Sequence, residues 1–118
     1  MKIQIFGTKK NFEVKKAELF FSERRINLQK VDLKEKGISK GELENIILLL
    51  TKKTGSREAA LENLIDKKNK DYASIAYLED CDKEEKILEN PLLLVQPVVR
   101  NGKEDVTVGY APDEWKNW

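Results

Sequence analysis

The chain has 118 residues, enough for one domain whose core needs neither disulfides nor metal. Its 22 basic and 21 acidic residues nearly cancel, which argues against a protein that grips nucleic acid by charge, so no direct nucleic-acid contact is expected. With no histidine and one cysteine, it lacks the parts for a His/Cys zinc site, for Ser-His-Asp or Cys-His catalysis and for an intrachain disulfide.

Lys2 to Phe6 alternates, with Ile3 and Ile5 on one side and Gln4 on the other, and reads as a strand. Glu13 to Arg25 carries Val14, Ala17, Phe20 and Phe21 at helical spacing. Asn11 or Phe12 begins that helix, and an asparagine oxygen is a good acceptor for a first-turn N–H. A second strand is expected at Leu28 to Val31. It should lie parallel to the first, after a right-handed crossover. The lysine pairs at Lys9-Lys10, Lys15-Lys16 and Lys52-Lys53 read as solvated faces.

A helical middle follows. Ser39 should cap a helix to about Thr51, with Glu42 completing a capping box and Leu43, Ile46, Ile47 and Leu50 on one face. The most apolar run, Ile46 to Leu50, is a helix face, too short to span a bilayer, so no membrane contact is expected. Gly55 breaks this helix. Ser56 caps the next, with Ala59, Ala60 and Leu64 inward. Lys67 to Asp71 is a polar connector. Short helices are expected at Tyr72 to Leu78 and Asp82 to Glu89, the latter ending before Asn90-Pro91. Cys81 falls between them, on an acidic loop of Glu79, Asp80 and Asp82 that disfavours a thiolate. A single thiol and an N-terminus without a signal-like apolar stretch point to the cytoplasm.

The chain then returns to strands. Gln96 to Arg100 is one, Asp105 to Gly109 its partner, and Asn101-Gly102 signals a two-residue hairpin. Ala111-Pro112 opens a last helix, whose Trp115 and Trp118 share a face and read as core packing. The order β-α-β, helices, β-β-α is an α/β arrangement of thioredoxin-like, glutaredoxin-type topology with an inserted helical cap. Residues 1–118 are expected to form one domain, with 1–34 and 92–118 as the sheet core and 35–91 as the insertion.

Several segments together resemble the arsenate reductase (ArsC)/Spx group of thioredoxin-fold proteins. They are Phe6-Gly7-Thr8-Lys9-Lys10, Lys15-Lys16-Ala17, Val31-Asp32-Leu33-Lys34-Glu35, Leu64-Ile65-Asp66, Glu89-Asn90-Pro91-Leu92-Leu93, Pro97-Val98-Val99-Arg100-Asn101-Gly102 and Val108-Gly109-Tyr110. The resemblance implies that the family's reactive cysteine falls on Asn11, and the second cysteine of the Spx-type variant on Val14. An arginine that the reductases carry before a strand proline is Gln96 here. The proline itself, typically cis in this fold, is Pro97. Another family arginine, near the connector, is represented only by Lys67 and Lys68, which carry charge without a bidentate fork.

An amide cannot attack an oxyanion as a thiolate does. The resemblance leaves the loop as a site for a weak oxyanion or glutathione, held by backbone N–H groups with Lys9, Lys10, Asn11 and Lys68. Glu13, in the first turn, would compete for the same N–H groups. The simpler reading makes Asn11 a helix cap only. No metal or cofactor is expected. The resemblance therefore implies a non-catalytic, protein-binding or regulatory member, with RNA polymerase, the partner of Spx-like relatives, as one possible partner. The alternative is an arsenate reductase-like thiol oxidoreductase that uses an external thiol or a native cysteine at position 11.

Overall fold

A computed structural model describes residues 1–118. The chain divides into two compact units, residues 1–36 with 96–118, and residues 37–95. The first holds a four-stranded sheet of order β2-β1-β3-β4, made from β1 (Ile3–Gly7), β2 (Leu28–Asp32), β3 (Val98–Asn101) and β4 (Asp105–Val108). β1 is parallel to β2, with Ile3 opposite Leu28, and antiparallel to β3, with Ile3 opposite Asn101.

Alternation along β1 decides what each sheet face carries. Ile3, Ile5 and Val99 pack with helix α1 (Phe12–Glu23) and the short helix α5 (Pro112–Trp115), through Val14, Ala17, Phe20, Phe21 and Trp115. Gln4, Phe6, Val98 and Arg100 lie on the other face, in register across β1 and β3. The expectation that the tryptophans pack inward agrees with their partners. The Trp115 Nε1–H donates to Thr107 Oγ1 (2.7 Å) and the Trp118 Nε1–H to Asp105 Oδ2 (2.9 Å). α1 closes through Arg25 at φ 57°, with the Ile26 N–H reaching Phe21 O (3.0 Å) and the Arg25 N–H reaching Ser22 O (3.0 Å). That is a Schellman ending, with arginine where glycine is usual.

In the second unit, α2 (Lys40–Thr54) begins with the expected capping box, Ser39 Oγ accepting from the Glu42 N–H (3.1 Å) and Glu42 Oε1 from the Ser39 N–H (3.0 Å). It runs a turn beyond Thr51, to Gly55 at φ 95°. Lys52 and Lys53 in that last turn suit the negative end of the helix dipole. Ser56 caps α3 (Arg57–Leu64), which buries Ala60, Leu61 and Leu64, so Leu61 rather than Ala59 completes its inward face. The chain returns to the sheet unit at Gln96, later than residue 92. The Val95 N–H donates to Leu64 O and the Asp66 N–H to Leu93 O, both at 2.8 Å, which keeps residues 92–95 with the helices.

Three expected elements differ. Tyr72 to Leu78 forms only a 3₁₀ turn, Tyr72–Ser74. Side chains there bond the backbone locally, Asn69 Oδ1 accepting from the Asp71 N–H (2.8 Å) and Ser74 Oγ donating to Asp71 O (2.7 Å). Cys81 is not on a loop. α4 spans Asp80–Glu89 and places it, exposed, in the first turn, where Asp80 and Asp82 are favoured by the dipole. The hairpin loop has three residues rather than two, because Asn101 pairs with Asp105 and the Glu104 N–H donates to Asn101 O (3.1 Å).

Candidate functional site

The region of interest runs from the end of β1 through residues 8–11 into the first turn of α1. Asn11 is the N-cap: its Oδ1 accepts from the Val14 N–H at 3.0 Å, and its own N–H donates to Thr8 O at 3.2 Å. The carboxamide therefore holds one of the donors that a helix start offers to an anion. The Phe12 and Glu13 N–H groups remain as the first-turn donors without intrahelical acceptors.

The opposite wall comes from Gln96, which precedes β3. The Gln96–Pro97 peptide is cis. Gln96 Oε1 accepts from both the Thr8 N–H (2.7 Å) and the Thr8 hydroxyl (3.1 Å). Where an arginine would present donors to an oxyanion, glutamine presents an acceptor and draws two loop donors to itself. Gly7 makes this closeness possible. A Cβ there would run into Val14 Cγ2 and come within 3.3 Å of Gln96 Oε1. Gly7→Ala should therefore lower stability by about 1–3 kcal/mol through overpacking. A fall in denaturation midpoint that Val14→Ala partly reverses would check it.

The structure brings Asn11, Val14, Gln96 and Pro97 together in one unit. Val14 is buried and packs toward Gly7, filling the position implied for a second thiol. Lys9 Nζ lies 3.5 Å from Glu35 Oε1, with both side chains well exposed. Lys10 is exposed. Lys68 belongs to the helical unit, in a turn where its N–H donates to Asp66 Oδ1 (2.9 Å). Its neighbour Lys67 is engaged by Glu62 at 2.7 Å, a hydrogen bond that raises the lysine's pKa and lowers the carboxylate's. Glu13 pairs with Lys16 at 3.5 Å.

A cleft of about 310 Å³ opens beside the loop, toward β2. Its lysines, Lys9, Lys30 and Lys36, are matched in number by Glu18, Asp32 and Glu35, and Lys30 pairs with Glu18 at 3.6 Å. Such a balanced wall offers an anion little net attraction. No side chain at the loop is a thiol, and the Thr8 hydroxyl donates its hydrogen bond to Gln96, an amide that cannot serve as a general base.

Residues that sequence reading passed over flank this end of α1. Phe12 is 71% exposed and Tyr110 39%. Lys16 Nζ sits between them, 4.4 Å from the Tyr110 ring centroid and 5.4 Å from that of Phe12. The Phe12–Lys16 spacing of four was legible on a helix. Tyr110 arrives from a distant segment and left no local signal.

Strand–loop–helix, a cis-proline opposite the helix start, and a β-α-β…β-β-α sheet define a thioredoxin-like fold. Among solved structures the chain is similar to arsenate reductase from Vibrio cholerae, with a TM-score of 0.81, 19% identity, and 99% of this chain and 97% of that one covered. It is also similar to an arsenate reductase (ArsC) related protein from Brucella melitensis, with a TM-score of 0.68, 18% identity and coverage of 100% and 94%. The chain has the thioredoxin-like fold of the ArsC-related arsenate reductases. No protein-family model matches the sequence, and no curated protein matches it. No helix is long and apolar enough to cross a membrane.

Proposed function

We propose that this chain is an ArsC-related protein that does no thiol chemistry at the start of α1 and acts by binding another protein. The observation that carries the reading is Asn11 itself. Its carboxamide, at the position where the resemblance implies the nucleophile, is engaged as a helix cap, at 3.0 Å from the Val14 N–H. Gln96 and Val14 support it, one by accepting the Thr8 donors and one by filling space beside Gly7.

The partner surface we infer is Phe12, Tyr110 and Lys16, with Lys10 and Lys15, exposed and near in sequence, adding charge. Two exposed rings with three lysines against the one carboxylate of Glu13, which pairs with Lys16, suit an acidic segment that carries an apolar side chain. RNA polymerase, implied by the Spx resemblance, is the first candidate.

The test is affinity capture from the native host with wild-type chain and a Phe12→Ala, Lys16→Glu double variant. Wild type should enrich a specific protein at least tenfold over the variant; equal recovery by both overturns the reading. Arsenate turnover with glutathione, abolished by Cys81→Ser or Gln96→Ala, would instead establish the reductase alternative.

A further inference from the structure

A second cleft, of about 740 Å³, opens at the other end of β1, where Lys2, Ile3 and Gln4 meet the start of β2 and the β3–β4 turn. Its wall carries Lys2, Arg100 and Lys103 and no acidic side chain. In a chain of formal net charge +1, three cations without a carboxylate among them are a local departure. The contrast with the cleft beside the Asn11 loop, where three lysines face three acids, is sharp.

The floor is built rather than incidental. Arg100 is 9% exposed, and both its Nε–H and an Nη2–H donate to Gln4 Oε1, the first at 2.9 Å. The Gln4 Nε2–H donates in turn to Gln29 Oε1 at 2.9 Å. Gln29, Gln4 and Arg100 are register partners on β2, β1 and β3, so three neighbouring strands hold an amide–amide–guanidinium row on one sheet face. A guanidinium fixed this way has lost rotamer freedom before any ligand arrives, which lowers the cost of binding.

We propose that this cleft binds a phosphate-bearing small molecule of nucleotide size. Its volume falls within the usual range for small-molecule sites. Arg100 with Lys2 and Lys103 suits a doubly charged phosphate group, because charge-assisted donors match its oxygens. The Asn27 carboxamide and the Gln29 Nε2–H groups offer an acceptor and donors, as the hydroxyls and base of a nucleotide require. The inference is independent of what happens at Asn11.

The test is titration of the ¹⁵N-labelled full chain with AMP and, separately, with inorganic phosphate. Saturable shifts are expected at the N–H groups of Gln4, Gln29, Arg100 and Lys103, with AMP binding at least tenfold tighter than phosphate. Lys2→Gln with Lys103→Gln, both at exposed positions, should weaken AMP at least fivefold without unfolding the chain. Raising salt should weaken it too. Three results would overturn the proposal: no saturable shift at millimolar AMP, shifts confined to residues 8–14, or binding indifferent to the double lysine variant. AMP binding no tighter than phosphate would overturn the nucleotide-size assignment.

Discussion

Asn11→Cys, made in a Cys81→Ser background so that one thiol remains, is expected to alkylate with a midpoint at least one pH unit below that of a free cysteine, which is about 8.5. The Asn11 side chain already reaches the first turn of α1, and an Sγ on the same Cβ would face the N–H groups that the helix leaves without acceptors. Partial positive charge at a helix start favours a thiolate over a thiol. The sign follows: a depressed pKa makes the thiolate persist to lower pH, so the alkylation profile moves to acid. The gain in rate at neutral pH should be only severalfold, because a thiolate of lower pKa is also a weaker nucleophile. A midpoint at the free-thiol value would show that position 11 does not feel the helix terminus. No arsenate reduction is expected of this variant, because Gln96 still takes both Thr8 donors and Val14 still occupies the neighbouring position.

Phe21→Ala should be the most destabilising single truncation in the sheet unit, at about 3–5 kcal/mol. Phe21 is fully buried, and its ring meets three other aromatic rings: Phe20 at 5.1 Å, Trp115 at 5.1 Å and Trp118 at 6.4 Å. Truncation removes a large apolar surface and leaves a space whose walls are anchored. Trp115 is tied to Thr107 and Trp118 to Asp105, so neither indole can swing in to fill it without breaking a hydrogen bond. The same residue supplies the carbonyl that closes the Schellman turn through the Ile26 N–H. That bond survives truncation, so the loss should come from packing. Chemical denaturation would report it as a lower midpoint. A loss below about 2 kcal/mol would mean that the aromatic cluster repacks around the gap.

Elements defined by their own residues were legible from the sequence. Asn11 and Ser39 are caps because their side-chain oxygens reach N–H groups three residues ahead, and that spacing is written locally. Gly55 stops α2 for an equally local reason, its positive φ. Tyr72 to Leu78 misled because it has apolar residues at helical spacing, yet only Ile75 is buried and Tyr77 is 82% exposed. Without a face to bury, periodicity had nothing to act on. Cys81 was misplaced because Glu79 caps α4 without a side-chain hydrogen bond, so no cap motif announced the helix start. At the candidate site, the family pattern singled out positions 11, 14, 96 and 97. It could not reveal that Gln96 bonds Thr8, a contact across 88 residues of chain. Nor did it reveal the Lys16–Tyr110 pairing, which depends on the sheet bringing the two segments together.

The sheet order has a consequence for how this chain is made. β1 is a central strand, but its two neighbours are far apart in sequence: Ile3 finds Leu28 on one side and Asn101 on the other. A ribosome delivers β1, α1 and β2 early and β3 only after the whole continuous stretch 37–95 has been synthesised. Until then one side of β1 has an open ladder of backbone donors and acceptors, with Val98 and Val99 not yet in place beside Phe6 and Ile5. The nascent chain is therefore most exposed to wrong pairing during translation of its helical middle, and a truncated product ending before residue 98 would carry that open edge permanently.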